Sequence, residues 1–275
     1  MVFKKLFHQA IIVLFVLLIL LTVMGCAEDT KDRDYGVFLS VTDDLDSLSK
    51  YKTVVIDAQY FSKEDIDAFR ADGHKVYSYI NIGSLEDFRD YYLEFSDICL
   101  GAYENWDEEY WIDASDMRWQ SFLIDELIPS LLEKDIDGFF VDNCDLYYLY
   151  PSEEIMNALT NIMQAMVNTG KEVIINGGDT YLDAYCNSGG HWNDVITGIN
   201  QESVFSKILW DEDKFGTAEA KDKEYFQDYI ERYAAKGADI YLLEYTTDKS
   251  LIKEIKEYCE EKAFNYYISD SLELD

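Results

Sequence analysis

Acidic and amide side chains follow short apolar runs at several points in this sequence, where a carboxylate could do chemistry. The clearest case is residues 138–145, in which Gly138 and three apolar residues lead directly to Asp142, Asn143 and, two residues on, Asp145. An apolar run bounded by polar residues is typical of a strand buried on both faces. Catalytic groups of parallel folds lie just beyond the carboxyl ends of such strands. Asp142 is therefore a candidate catalytic residue, although it could equally cap the next helix.

Other apolar runs end in the same way. Asp57, Asn176, Glu202 and Tyr245 each lie where such a run gives way to polar or aromatic residues. Paired carboxylates can hydrolyse a glycosidic bond, and aromatic side chains offer flat faces on which sugar rings stack. If the fold brings these strand ends together, they predict a sugar-binding active site.

The elements that could bring them together alternate along the chain. Eight apolar runs predict strands, and amphipathic segments between them predict helices. Eight strands favour a single (β/α)8 TIM barrel over residues 35–275, an α/β fold. An open doubly wound sheet usually carries a glycine-rich loop after its first strand, and none follows residues 35–39. The predicted strands are 35–39, 53–56, 75–80, 138–142, 172–175, 198–201, 239–243 and 264–268, and the main helices are 63–72, 116–134, 151–169, 221–236 and 251–262. Residues 85–111, which are rich in aromatic side chains, predict an elaborated loop over the barrel mouth.

The N-terminus has the features of an export signal. Basic residues precede an apolar run that ends close to Gly25 and Cys26, which is typical of a secretory signal peptide. The cysteine after Gly25 resembles a bacterial lipoprotein signal. We therefore expect residues 1–25 to be removed, Cys26 to be lipidated and residues 26–34 to form a tether, so that a monomeric domain lies outside the cytoplasm on a membrane. An uncleaved membrane anchor is the alternative, although the run is shorter than the ~20 residues of a spanning helix.

The composition limits the kinds of ligand that the protein is expected to bind. The formal net charge is -32, which argues against nucleic acid and favours a cationic ligand; the same acidity would also serve solubility or a salty habitat. The cysteines are widely spaced without a CxxC pair and the histidines are isolated. We therefore expect neither a metal site nor a cofactor, and no Ser-His-Asp triad.

Several motifs together resemble glycoside hydrolase family 114, the endo-α-1,4-polygalactosaminidase family of (β/α)8 barrels. Each motif is moderately specific, but their order and spacing span most of the chain after the tether. The segments that carry the resemblance are SYINIGSLE at 78–86, EYWID at 109–113, MRW at 117–119, GFFVDNCD at 138–145, NQESVF at 200–205 and EY at 244–245.

The resemblance implies a glycoside hydrolase that cleaves internal α-1,4 bonds of a galactosamine-containing, cationic exopolysaccharide. Its catalytic pair would be Asp142, as nucleophile or electrostatic stabiliser, and Glu202, as general acid/base whose pKa burial would raise. The alternatives are a non-catalytic glycan-binding lipoprotein and a hydrolase of another extracellular or cell-wall glycan.

Further candidates would bind the substrate. For Asp113 and Asp145 a helix cap or a loop hydrogen bond is an equally good interpretation, and Tyr79 and Trp111 could instead belong to the core. The full set of substrate-binding candidates is Asp57, Tyr79, Trp111, Asp113, Asn143, Asp145, Asn176 and Tyr245.

Overall fold

The structure is a computed structural model that describes residues 34–212 and 214–275, so the predicted signal peptide and Cys26 lie outside the described residues. Within those two ranges, no helix is both long and apolar enough to cross a membrane. The strands are β1 (Tyr35–Phe38), β2 (Thr53–Ile56), β3 (Lys75–Asn81), β4 (Ser84–Glu86), β5 (Cys99–Ala102), β6 (Glu109–Ile112), β7 (Gly138–Asp142), β8 (Glu172–Asn176), β9 (Gly198–Glu202), β10 (Ser206–Leu209), β11 (Lys214–Thr217), β12 (Asp239–Tyr245) and β13 (Asn265–Ser269). The helices are α1 (Lys63–Ala71), α2 (Tyr92–Phe95), α3 (Met117–Phe122), α4 (Ile128–Glu133), α5 (Leu146–Leu149), α6 (Glu153–Val167), α7 (Asp179–Asn187), α8 (Ala220–Ala234) and α9 (Lys249–Lys262).

Eight of the strands form one parallel sheet that curls into a barrel. Their order is β1-β2-β3-β7-β8-β9-β12-β13, and the two edge strands come together, where the rings of Phe38 and Tyr267 lie 5.1 Å apart. The fold is therefore a single (β/α)8 barrel with a nearly closed sheet, and this prediction is confirmed. All eight predicted strands are present, with ends that differ by one or two residues at most.

Successive side chains of each strand point alternately into the barrel and toward the helices, so the hydrophobic core has two layers. In β7, Phe140 packs inside the barrel with residues such as Tyr35 and Tyr241, whose rings lie 4.7 Å apart. Its neighbours Phe139 and Val141 face the surrounding helices, as the two-residue period of a strand requires. Large side chains thus fill much of the barrel.

The helices begin where the sequence signals predict. Ser152 caps α6 by accepting a hydrogen bond from the backbone nitrogen of Ile155 at 3.1 Å, which satisfies one of the free N–H groups of the first turn. The predicted helix at 116–134 consists of α3 and α4 joined by a π-helical turn at Leu123–Leu127. This turn immediately precedes the turn of Pro129, a residue that has no N–H to donate. Helices α2, α5 and α7 were not predicted.

Two excursions rise from the carboxyl end of the barrel. Between β3 and α3, strands β4, β6 and β5 form a three-stranded antiparallel sheet, and β10 and β11 form a hairpin after β9. The first excursion occupies the stretch that was predicted as an elaborated loop, but it is an ordered sheet. Both excursions contribute to the wall of the same cavity.

Candidate active site

A cavity of about 710 Å³ opens at the carboxyl ends of the barrel strands. This volume lies within the usual range of small-molecule sites. Eight of the ten residues that the sequence suggested for catalysis and substrate binding line it, although their strands are far apart in sequence. They are Asp57, Tyr79, Asp142, Asn143, Asp145, Asn176, Glu202 and Tyr245.

One amide joins the two candidate catalytic carboxylates. The Asn176 side-chain nitrogen donates to Asp142 Oδ1 at 3.0 Å and to Glu202 Oε1 at 2.7 Å. The other oxygen of Glu202 accepts a hydrogen bond from the Tyr245 hydroxyl at 2.9 Å. Asp142 and Glu202 therefore share one hydrogen-bond donor at the carboxyl ends of β7 and β9.

The orientation of that amide is fixed from inside the barrel. Asn200, two residues before Glu202 and hence on the same face of β9, donates from Nδ2 to Asn176 Oδ1 at 2.7 Å. Tyr35 in turn donates its hydroxyl to Asn200 Oδ1 at 3.1 Å. Since the Asn176 oxygen is occupied by a donor, its NH₂ group must face the two carboxylates.

Burial makes both carboxylates harder to ionise. The pKa of Glu202 is raised to about 7, first by burial and then by the charge of Asp142, although the hydrogen bonds from Asn176 and Tyr245 oppose the rise. Burial also raises the pKa of Asp142, against the hydrogen bonds from Asn176, the Asn143 backbone and Tyr79. A proton on Glu202 is therefore available near neutral pH.

A buried guanidinium holds a second pair of acids on the cavity wall. Arg89 contacts Asp57 Oδ2 at 2.5 Å and Glu86 Oε1 at 2.9 Å, and Tyr79 donates its hydroxyl to the same glutamate oxygen at 3.2 Å. All four residues are largely buried. Glu86 and Arg89 were not among the predicted site residues, although Glu86 closes one of the motifs quoted above.

The first excursion adds two more residues that the sequence did not single out. Glu109 lines the cavity, and burial is the main reason that its pKa is raised to about 7. Tyr103 also lines the cavity and stacks on Trp111, with ring centroids 4.4 Å apart. Trp111 itself is 6% exposed and does not line the cavity, so its contact with the site passes through Tyr103.

The two remaining acids of the predicted set lie in different surroundings. Asp145 lines the cavity beside Gly177, and its pKa is raised to about 7, chiefly by burial. Asp113 lies outside the cavity lining and accepts hydrogen bonds from the Ser115 nitrogen at 3.0 Å and the Ser115 hydroxyl at 2.6 Å. Asp113 thus has the loop hydrogen bond that was its alternative interpretation.

Two tryptophans meet over the mouth of the cavity. Trp106 belongs to the first excursion and Trp210 follows β10, and their rings make an edge-to-face contact with centroids 5.8 Å apart. Both line the cavity while remaining about 40% exposed. Sequence reasoning missed them because neither lies near the end of a barrel strand.

The fold and site together define a class of protein. A (β/α)8 barrel with two carboxylates bridged at the strand ends, beneath exposed aromatic rings, is the architecture of a glycoside hydrolase. Residues 30–272 match the family model described as glycoside-hydrolase family GH114. The chain belongs to this family and is a glycoside hydrolase.

Solved structures share the barrel at low sequence identity. The glycoside hydrolase domain of PelA from Pseudomonas aeruginosa is 15% identical, with a TM-score of 0.73 and coverage of 88% of this chain and 96% of that one. Ega3 from Aspergillus fumigatus, in complex with galactosamine, is 15% identical, with a TM-score of 0.69 and coverage of 89% and 93%. The α-galactosidase TtGalA from Thermus thermophilus is 9% identical, with a TM-score of 0.55 and coverage of 86% and 57%. No curated protein sequence matches the chain significantly.

Proposed function

We propose that this glycoside hydrolase cleaves internal α-1,4 bonds of a galactosamine-containing, cationic exopolysaccharide by a two-carboxylate mechanism. The observation that carries the proposal is the Asn176 amide, which donates to both Asp142 and Glu202 in the cavity. The galactosamine bound in the related fold of Ega3 supports the choice of sugar.

The charge of the cavity supports a cationic substrate. Among the residues that the structure describes, Arg89 is the one guanidinium or ammonium group in the cavity lining, and it already contacts two acids. An ammonium group on each deacetylated hexosamine would pair with the remaining carboxylates. The acids in the lining are Asp57, Glu86, Glu104, Asp107, Glu108, Glu109, Asp142, Asp145, Glu202 and Glu273.

The two catalytic residues take different roles in this proposal. Glu202, with a pKa of about 7, protonates the glycosidic oxygen as the leaving group departs. Asp142 accepts from Asn176 at 3.0 Å and from the Asn143 nitrogen at 2.9 Å, and these bonds favour its charged form. Asp142 therefore attacks or stabilises the anomeric carbon from the opposite side.

The spacing of the pair favours retention of anomeric configuration. Because one nitrogen reaches Asp142 Oδ1 at 3.0 Å and Glu202 Oε1 at 2.7 Å, these two oxygens lie less than about 6 Å apart. Retaining enzymes hold their carboxyl groups ~5–5.5 Å apart, whereas inverting enzymes need ~6.5–9.5 Å for a water molecule. Retention would proceed through a covalent glycosyl-enzyme intermediate on Asp142.

The location proposed for the enzyme is outside the cytoplasm. Lipidation of Cys26, which lies beyond the described residues, would anchor a monomeric barrel to a membrane. A net charge of -32 would then attract a cationic polymer at low salt.

The test measures reducing ends released from α-1,4-galactosamine oligomers. Asp142→Asn and Glu202→Gln should each lower kcat by about 10³-fold or more while the fold is retained, and Glu94→Gln, an exposed acid on α2, is the control. Full activity in either variant would contradict the assignment. Binding of the oligomers without release by the wild type would contradict their cleavage and favour the glycan-binding alternative. A panel of other glycans would then show whether the protein cleaves a different bond.

A further inference from the structure

The turn after Asp142 has an unusual backbone that must be held in place. Asn143 adopts φ +66, in the left-handed region that most residues avoid and that asparagine enters more readily, and its nitrogen donates to Asp142 Oδ1 at 2.9 Å. The conformation of Asn143 therefore helps to fix the direction of the Asp142 carboxylate.

Glu109, in the first excursion, accepts hydrogen bonds from several side chains around this turn. Its Oε1 accepts from Asn143 Nδ2 at 2.9 Å and from Asn81 Nδ2 at 2.9 Å. The Ser84 hydroxyl donates to the same oxygen and itself accepts from Asn143 at 2.9 Å. Three donors from the end of β3, β4 and the turn after β7 thus converge on one glutamate oxygen.

The position of Glu109 is energetically unfavourable for a charged side chain. Glu109 lies directly opposite Glu86 in the pairing of β4 with β6, and like charges in that relation destabilise a sheet. Burial of a carboxylate adds to the cost. The hydrogen bonds that Glu109 makes to the catalytic turn give a reason for its presence there.

We propose that Glu109 is a positioning residue for hydrolysis, which fixes Asn143 and through it the carboxylate of Asp142. The inference rests on the proposed function of Asp142. Burial raises the pKa of Glu109 to about 7, so the residue is partly neutral near pH 7 and acts through accepted hydrogen bonds rather than through its charge.

Two substitutions separate this role from others. Glu109→Ala removes the acceptor, and kcat should fall by about 10–100-fold with KM changed less than about twofold, because a small displacement of a catalytic group is costly. Glu109→Gln keeps Oε1 as an acceptor, so kcat should stay within about threefold and neither limb of the pH profile should shift by more than about half a unit. Glu94→Ala, an exposed acid on the same excursion, is the control.

A double variant tests the route through the turn. If Glu109 acts through Asn143, then Glu109→Ala combined with Asn143→Ala should be about as active as Asn143→Ala alone. Wild-type kcat in Glu109→Ala, equal losses in the Ala and Gln variants, a change in KM alone, or additive losses in the double variant would each overturn the proposal.

A readout without substrate keeps the inference separate from the proposed function. Crystal structures should show the 3.0 Å bond between Asp142 Oδ1 and Asn176 broken in Glu109→Ala and retained in Glu109→Gln. If the wild type cleaves no galactosamine polymer, the substrate is wrong, and these structures still decide whether Glu109 orients Asp142. If the Asp142 carboxylate does not move in Glu109→Ala, the positioning role is refuted. If Glu109→Ala does not fold, Ser84→Ala is used in its place, because it removes one of the three donors to Glu109.

Discussion

Replacing Glu202 by glutamine is expected to stabilise the folded protein at neutral pH while it abolishes activity. Burial, and then the charge of Asp142, raises the pKa of Glu202 from 4.5 to about 7. Each pKa unit of difference between folded and unfolded states is worth about 1.4 kcal/mol, so charging Glu202 in the folded protein costs at most about 3.5 kcal/mol. Because the side chain is only partly buried by surface area, we expect the glutamine variant to gain about 1–2 kcal/mol.

The sign of the pH dependence follows from the raised pKa. The contribution of Glu202 to the stability of the wild type is fully present below pH 4.5 and is lost as pH rises through about 7, because the folded protein binds the proton more tightly than the unfolded chain. Glutamine carries no charge at any pH. The variant and the wild type should therefore have similar stability at pH 4.5 and differ most above pH 7.5.

The assay is urea unfolding followed by circular dichroism at pH 4.5, 6.0 and 8.0. The difference in unfolding free energy between Glu202→Gln and the wild type should grow with pH toward about 1–2 kcal/mol. Glu94→Gln, which replaces an exposed acid, should show no such trend. A constant difference across the three pH values, or a variant less stable than the wild type at pH 8.0, would refute the reasoning.

Two further substitutions test neighbouring contacts. Tyr245→Phe removes the hydroxyl that donates to Glu202 at 2.9 Å and lowers its pKa, so the alkaline limb of kcat/KM should move up by about one pH unit; an unmoved or lowered limb would contradict the assignment of Glu202 as the acid. Gly83→Ala would bring a Cβ within 1.9 Å of the Asn143 carbonyl oxygen, whereas at Gly101 the nearest atom is 3.5 Å away. In thermal unfolding, Gly83→Ala should lose more than about 3 kcal/mol and Gly101→Ala less than about 1, and equal melting temperatures would count against the described packing of this turn.

The barrel and the strand-end residues could be predicted because each rests on a local pattern. Short apolar runs end abruptly in polar residues, and a parallel barrel carries every such end to the same rim. This reasoning predicts that Asp142, Asn176 and Glu202 lie close together, although the sequence gives no distance between them. It could also have included Asn200, because a polar residue two positions before Glu202 must share its inward face.

The excursions could not be predicted in the same way because their contacts depend on tertiary pairing. Tyr103, directly after β5, and Trp111, in β6, are both aromatic and their rings stack, yet only Tyr103 lines the cavity. The pairing of β5 with β6 contains an irregularity between Cys99 and Gly101, and such an irregularity redirects side chains. No periodicity in the sequence reveals it.

The partners of each acid in the cavity distinguish two kinds of carboxylate. Asp57 and Glu86 contact the guanidinium of Arg89, which holds both side chains in place on the cavity wall. Glu202 is instead held by an amide and a phenol hydroxyl, which orient it without a formal charge. Burial can then keep the pKa of Glu202 at about 7, where a proton can be both given and recovered in one catalytic cycle. Neutral donors therefore distinguish Glu202 from the two acids that Arg89 holds. Glu109 also has neutral donors but, in the proposal above, positions Asn143 instead of transferring a proton.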